Sequence, residues 1–263
     1  MGAEAVVLLA LDIGNTNVKA GVFRGDALVA TWRLATDPRR MPDEYGVLLT
    51  SLLALRGITP SQVRDAVLCS VVPPLTWVFE EVCRTFFQVS PLLLGAGVKT
   101  GMRILYDTPR DVGADRVAAS TAAYHLYGGP VIVVEVGTFT VFDAVTREGD
   151  YLGGAIHPGP QVVAEAVFTA ASQLRRVELL LPKSAIGRNT VAAIQSGVLL
   201  GHIGMVEGMV RRFKEELGED ARVIGTGGLI PLIARETTVF TAIQPDLILH
   251  GLRMIYEMNR GQR

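Results

Sequence analysis

The chain has 263 residues, 49% of them apolar and 19% charged, and its 25 Lys and Arg against 26 Asp and Glu give a formal net charge of -1. This composition supports a large buried core and excludes a mainly disordered chain. The balanced charge leaves no electrostatic footprint for a nucleic acid, and no basic run interleaved with aromatics occurs.

In chain order, the apolar run Val6–Leu11 leads straight into an acid–glycine turn, so the N-terminus reads as a strand and not a signal peptide. Strands are expected at Val6–Ile13, Val18–Phe23 and Ala27–Arg33, the last two separated by Arg24-Gly25-Asp26. They read as a three-stranded antiparallel meander. Helical periodicity covers Glu44–Leu55 and stops at Gly57. A buried-type strand at Ala66–Val72 is closed by Pro73-Pro74; a helix at Leu75–Phe87 and a short strand at Pro91–Leu94 follow. Val98–Val112 is loop-rich and precedes a helix at Ala114–Leu126. Then come a strand at Val131–Val136, a turn at Gly137, and strands near Thr140–Val145 and Tyr151–Ile156.

The order strand, acid, x, Gly, Thr-containing turn, strand, strand thus occurs twice, with Asp12 and Gly14 in the first copy and Glu135 and Gly137 in the second. The chain reads as two copies of one mixed α/β unit. The boundary is expected near Gly113–Tyr127, with a cleft between the halves.

The second half carries a long helix, about Thr190–Leu217, with glycines at 197, 201, 204 and 208. Each costs a helix roughly 1 kcal/mol relative to alanine. The spacing implies close approach of another backbone, from the same chain or from a second subunit. Val191–Val210 is interrupted by Gln195, Ser196, His202 and Glu207, and reads as too polar for a membrane span. A strand at Arg222–Gly225 leads into Thr226-Gly227-Gly228; helices at Leu229–Ala234 and Pro245–Asn259 complete the chain. Cys69 and Cys83 lack metal-ligand spacing and read as reduced, buried thiols of a cytoplasmic protein. His125, His157, His202 and His250 show no zinc-like spacing either.

Chemistry concentrates at the turns. In Asp12-Ile13-Gly14-Asn15-Thr16-Asn17-Val18-Lys19 the glycine permits a tight turn. Its backbone N–H groups and the Asn15, Thr16 and Asn17 side chains offer donors to phosphate oxygens, and Lys19 adds positive charge. Asp12 would repel phosphate unless Mg²⁺ lay between them, which makes it a candidate metal or water-shell ligand. Neither a G-x-x-x-x-G-K-[ST] loop nor a G-x-G-x-x-G fingerprint occurs, and an ordinary hairpin remains the competing reading. The second turn, Glu135–Thr140, offers Thr138 to a phosphate or its cation. The third, Thr226-Gly227-Gly228, lets a base or ribose approach the backbone. Gly113-Ala114-Asp115-Arg116 opens a helix: Asp115 could accept a hydroxyl proton and Arg116 could bind a carboxylate. The pair could equally serve the helix's first turn.

Taken together, D-I-G-N-T-N-V-K (Asp12–Lys19), Y-D-T-P (Tyr106–Pro109), D-V-G-A-D-R (Asp111–Arg116), Y-L-G-G-A-I-H-P-G (Tyr151–Gly159), G-R-N-T (Gly187–Thr190), Q-S-G (Gln195–Gly197) and T-G-G-L (Thr226–Leu229) resemble the type III pantothenate kinase family over nearly the whole length. The resemblance implies an α/β fold of two ribonuclease-H-like (actin-like ATPase) domains, mixed sheets flanked by helices. The domains would be 1–115, with the phosphate loop, and 116–263, with the second phosphate turn and the adenosine turn. It implies ATP-dependent phosphorylation of pantothenate, the first step of coenzyme A synthesis, by a cytoplasmic homodimer that engages neither nucleic acid nor membrane.

By position, the resemblance puts ATP at Asp12, Ile13, Gly14, Asn15, Thr16, Asn17, Val18, Lys19, Thr138, Gly227 and Gly228. Asp12 would work through Mg²⁺, and Asp115 would be the general base. Pantothenate would meet Tyr106, Gly113, Ala114, Asp115, Arg116 and Thr190, the last from the partner subunit; the residues alone allow Thr190 to be a helix N-cap instead. Glu135 stands where the family usually has an aspartate that helps bind a monovalent cation, K⁺ or ammonium. Phe139 replaces a small residue, Val141 a threonine, and His157 an apolar or small residue. These departures motivate a second reading, a catalytically degenerate binding or regulatory protein. A third is a kinase for another hydroxy acid.

Overall fold

The computed structural model describes residues 7–170 and 176–262, and Val6 lies outside them. By its internal contacts the chain divides into two compact units. Unit 1 comprises residues 1–102, 108–122 and 247–263; unit 2 comprises 103–107 and 123–246.

In unit 1, β1 (Val7–Ile13), β2 (Asn17–Arg24) and β3 (Ala27–Ala35) form the expected meander. β4 (Val63–Ser70) and β5 (Leu92–Leu93) add in parallel, in the order β3-β2-β1-β4-β5. Helix α1 (Pro42–Ala54) opens with Pro42, and the Met41 N–H donates to Glu44 Oε2 at 2.9 Å. Helix α2 (Pro73–Phe87) takes both prolines into its first turn, where no amide hydrogen is needed, so they start the helix and do not end the strand. It stops at Gln88, in the left-handed region at φ 58°. Val7, Leu9, Leu11 and Ile13 face α1 and α2 in one core with Tyr45, Leu49, Phe79 and Val82.

The other face of this sheet carries the C-terminal helix α8 (Leu247–Asn259). Gly21, in register with Ala10, leaves room for Leu249, whose Cδ1 lies 2.7 Å from where a Cβ would stand. A Cβ on Gly251 would lie 1.9 Å from the Ala118 carbonyl of α3 (Ala114–Tyr127), so the two helices cross at backbone contact. The range 116–263 expected as a second domain therefore includes a helix that packs in unit 1. One of the changes of unit, between residues 122 and 123, falls inside α3.

Unit 2 repeats the plan. β6 (Val131–Val136), β7 (Phe139–Val145) and β8 (Tyr151–Pro158) form a second antiparallel meander. β9 (Arg222–Thr226) and β10 (Ala242–Ile243) add in parallel, giving β8-β7-β6-β9-β10. This is the same order, direction for direction, as the first sheet. Among the strands and α-helices, β10, only two residues long, and α4 (Pro160–Ala170) were not anticipated. The long helix is α5 (Thr190–Gln195), a π-turn at Ser196–Leu200 and α6 (Gly201–Leu217). A short α7 (Ile230–Ile233) follows β9. Ile203, Val206 and Val210 of α6 pack on Ile132, Val134, Val136 and Phe142. By length and composition Thr190–Leu217 is apolar enough to cross a membrane, contrary to the sequence reading, but its apolar residues supply this core face.

Candidate active site

The first glycine turn joins β1 to β2. The Gly14 N–H donates to the Asn17 carbonyl at 3.1 Å, leaving Asn15, Thr16 and Asn17 exposed at the tip. Thr36, just after β3, holds the turn: its Oγ1 donates to the Gly14 carbonyl at 2.6 Å and its N–H to the Thr16 carbonyl at 3.1 Å. Nothing in the sequence marked Thr36 for this, because it is 22 residues from the glycine it binds.

Asp12 pairs in register with Lys19 on β2 and Cys69 on β4, so cation and thiol flank the carboxylate on one face of the sheet. The Cys69 Sγ lies 3.4 Å from Asp12 Oδ1 as donor. Burial pushes the Asp12 carboxyl up to about 7, and the nearby Asp115 carboxylate pushes the same way. The Cys69 hydrogen bond and the Lys19 charge pull it back in part. Cys69 is buried and reduced, as the composition suggested, and it stands beside Asp12.

Asp115 begins α3. Burial raises its carboxyl as well, opposed by the Arg116 N–H, which donates to Oδ1 at 2.8 Å, and by the Arg116 charge. A Cβ on Gly113 would lie 2.4 Å from Asp115 Oδ1, so a side chain there would push that carboxylate aside. Unit 1 thus gathers Asp12, Lys19, Gly113, Ala114, Asp115 and Arg116, two stretches about a hundred residues apart.

In unit 2, Glu135 pairs with Val141 and Thr226, the positions matching Lys19 and Cys69 in unit 1. The cation of the first sheet has become an apolar residue in the second. The turn at Gly137 and Thr138 closes through the Gly137 N–H to the Phe139 carbonyl at 2.9 Å. Two glycines press on it. A Cβ on Gly159 would meet the Gly137 carbonyl at 2.0 Å, and one on Gly227 (φ +97°) the Val136 carbonyl at 2.4 Å. The second and third glycine turns are therefore in direct contact. Phe139 is 47% exposed.

Beneath the turn, Thr140 Oγ1 is 2.9 Å from His202 Nε2 in a buried hydrogen bond, and the His157 ring meets the His202 ring edge-on at 5.6 Å between centroids. Burial pushes His202 down to about 4, with His157 adding to the shift, so it is neutral at physiological pH. The sequence showed no histidine pairing because 45 residues separate the two; strand register and helix packing bring them together.

Tyr106 lies in unit 2, its ring over Gly153. Thr190 is exposed and is not the N-cap of its helix. Asn189 takes that place, its Oδ1 accepting from the Ala192 N–H at 2.9 Å. Gln195 and Ser196 anchor the preceding segment through the Glu178 and Ala185 carbonyls, at 2.8 and 2.6 Å.

Two sheets of one topology, each with a glycine turn after its central strand, define an α/β protein of the actin-like ATPase class. The structure of (R)-2-hydroxyglutaryl-CoA dehydratase component A from Acidaminococcus fermentans shares the fold, with a TM-score of 0.57 at 11% identity over 98% of this chain and 100% of that one. The model of the family described as type III pantothenate kinase matches residues 8–212. A type III pantothenate kinase of Roseiflexus sp. (strain RS-1) is 51% identical over 97% of this chain and 100% of its own. One of Dehalococcoides mccartyi (strain CBDB1) is 49% identical over 96% of each. The chain belongs to the type III pantothenate kinase family.

Proposed function

We propose that the protein transfers the γ-phosphoryl group of ATP to the hydroxyl of pantothenate, giving 4'-phosphopantothenate, the first step of coenzyme A synthesis. The observation that carries the reading is the placing of Asp115 near Asp12 beside the first glycine turn, within a chain of this family. Two carboxylates raised by burial and, at Asp12, by mutual repulsion call for a cation. Oxygen donors suit Mg²⁺. Mg²⁺ keeps several of its waters and shares ATP phosphates, so one or two carboxylates suffice to hold it. Asp12 would hold it through its water shell, and the ion would neutralise charge on the transferring phosphate.

The chain's own groups do the rest. Ile13 and Val18, buried, hold the turn's two strands, while the backbone and side chains of Gly14, Asn15, Thr16 and Asn17, with Lys19, take phosphate oxygens. Thr138, Gly227 and Gly228 serve ATP as well. Asp115 accepts the hydroxyl proton as that oxygen bonds to phosphorus and ADP departs. Arg116 binds the pantothenate carboxylate, with Gly113, Ala114 and Tyr106 shaping the acceptor site. Glu135, with the Thr226 hydroxyl as neighbour in register, offers oxygen to K⁺ or ammonium.

We further read the protein as a cytoplasmic homodimer with Thr190 serving the partner's acceptor site. Among the described residues, and apart from the helix's own neighbouring turns, no atom lies within 4 Å of a Cβ built on Gly197, Gly201, Gly204 or Gly208, which suits a face open to a second copy. Sedimentation of the protein beside Gly201→Leu tests this; a monomeric wild-type protein refutes it. The degenerate reading gains no support, since Asp12, Asp115 and Arg116 are all present. The deciding experiment is ATP consumption by purified protein with and without pantothenate, in Na⁺, K⁺ and ammonium. Stimulation by pantothenate is expected; none in any of the three refutes the assignment.

A further inference from the structure

β8 is an edge strand of the second sheet, and the segment 103–107 is fastened along it. Ile104 forms a parallel bridge with Tyr151. The Leu105 N–H donates to the Tyr151 carbonyl, and the Tyr151 N–H to the Arg103 carbonyl, each at 2.8 Å. The Arg103 guanidinium grips Asp150 in a two-pronged pair, Nε to Oδ1 at 2.7 Å and Nη2 to Oδ2. The Tyr151 side chain is buried and its hydroxyl donates to buried Asp143 at 2.7 Å. A bulge leaves Leu152 without a partner between the Val145–Tyr151 and Ala144–Gly153 pairs. The next residue, Gly153 (φ +134°), forms the floor for Tyr106, whose ring carbons lie 3.2 Å from the position of a Cβ.

Arg103 is 75% exposed but the Asp150 side chain only 11%, and the two-pronged geometry fixes the guanidinium more firmly than a single contact would. A single bridge at a sheet edge is by itself a weak element. Their combined effect is to remove the conformational freedom of one segment, the one that carries Tyr106. A side chain ordered in advance is not charged to the ligand when it binds. We propose that Arg103, Asp150, Gly153 and the Tyr151–Asp143 pair are positioning residues that preset Tyr106, and so govern affinity for the acceptor substrate and not the rate of phosphoryl transfer. The inference rests on the reading that Tyr106 meets pantothenate.

The test is steady-state kinetics of Arg103→Ala, Arg103→Lys and Tyr106→Ala beside the wild type, varying pantothenate and ATP separately. Arg103→Ala is expected to raise KM for pantothenate about tenfold, leaving kcat and KM for ATP within about twofold. Arg103→Lys keeps one prong and should recover part of the loss. Amide exchange at Leu105 should quicken in Arg103→Ala, with the thermal midpoint nearly unmoved. If Tyr106→Ala raises KM for pantothenate and Arg103→Ala does not, the positioning role is wrong while the acceptor site stands. If neither variant raises it, the role of Tyr106 is wrong and the inference falls with it. A drop in kcat alone in Arg103→Ala also overturns it.

Discussion

Replacing Asp12 with asparagine should stabilise the protein while abolishing its activity. Burial and the Asp115 carboxylate carry the Asp12 carboxyl from its ordinary 3.8 to about 7. At about 1.4 kcal/mol for each tenfold step in acidity, ionising it costs the native state up to about 4 kcal/mol above pH 7. Residual exposure lets water screen the charge, so about 2–4 kcal/mol is expected. The sign follows from proton binding. Between pH 3.8 and about 7 the native protein holds a proton that the unfolded chain has lost, so wild-type stability falls as pH rises through that window. The asparagine side chain removes the group from the balance and can still accept the Cys69 hydrogen bond. Urea unfolding followed by tryptophan fluorescence reads this directly, because Trp32 and Trp77, the two tryptophans, both lie in unit 1. The variant's advantage should be full at pH 8 and absent near pH 4. Mg²⁺ with ATP should stabilise the wild type more than the variant. A variant no more stable than wild type at pH 8 refutes the claim that this carboxylate is held at a cost.

Asp115→Asn should fold normally and lose about 10²–10⁴-fold in kcat, read in the pantothenate-dependent ATPase assay; near-wild-type turnover removes Asp115 as the base. Gly113→Ala puts a methyl 2.4 Å from Asp115 Oδ1 and should lower kcat about tenfold or more with ATP affinity retained, measured by calorimetry with a non-hydrolysable nucleotide. Gly227→Ala combines a left-handed φ of +97° with a 2.4 Å approach to the Val136 carbonyl, and should cost about 1–3 kcal/mol or more in a denaturant titration. Thr36→Ala frees the first turn, and should raise KM for ATP while costing about 1 kcal/mol of stability.

The repeat was legible because each copy needs the same local chemistry: an apolar central strand, an acid at its end, and a glycine turn into an antiparallel neighbour. The start of α3 was legible from Asp115 in its first turn, whereas α1 was read from Glu44 but begins at Pro42, and Pro73-Pro74 was read as the end of a strand but opens α2. β10 was not, because a two-residue strand carries no periodicity, and it exists by pairing with β9. Nor was the place of α8. Linear order puts it in the second half, while the uncovered face of the first sheet, with Gly21 and Ala118 shaped to receive it, draws it back.

The sequence by itself determined the motifs, and therefore the family, since order and spacing along a chain are one-dimensional properties. It also determined that Asp12 ends a strand and that Asp115 opens a helix. Only the tertiary structure decided what surrounds them. Strand register put Cys69 and Lys19 beside Asp12, and burial with Asp115 raised its carboxyl. Helix packing set His202 under Thr140, and an edge bridge placed Tyr106 on Gly153. Electrostatics and contact depend on distance in space, and residues as far apart in the chain as Asp12 and Asp115, or Tyr106 and Gly153, come together only when the sheets form.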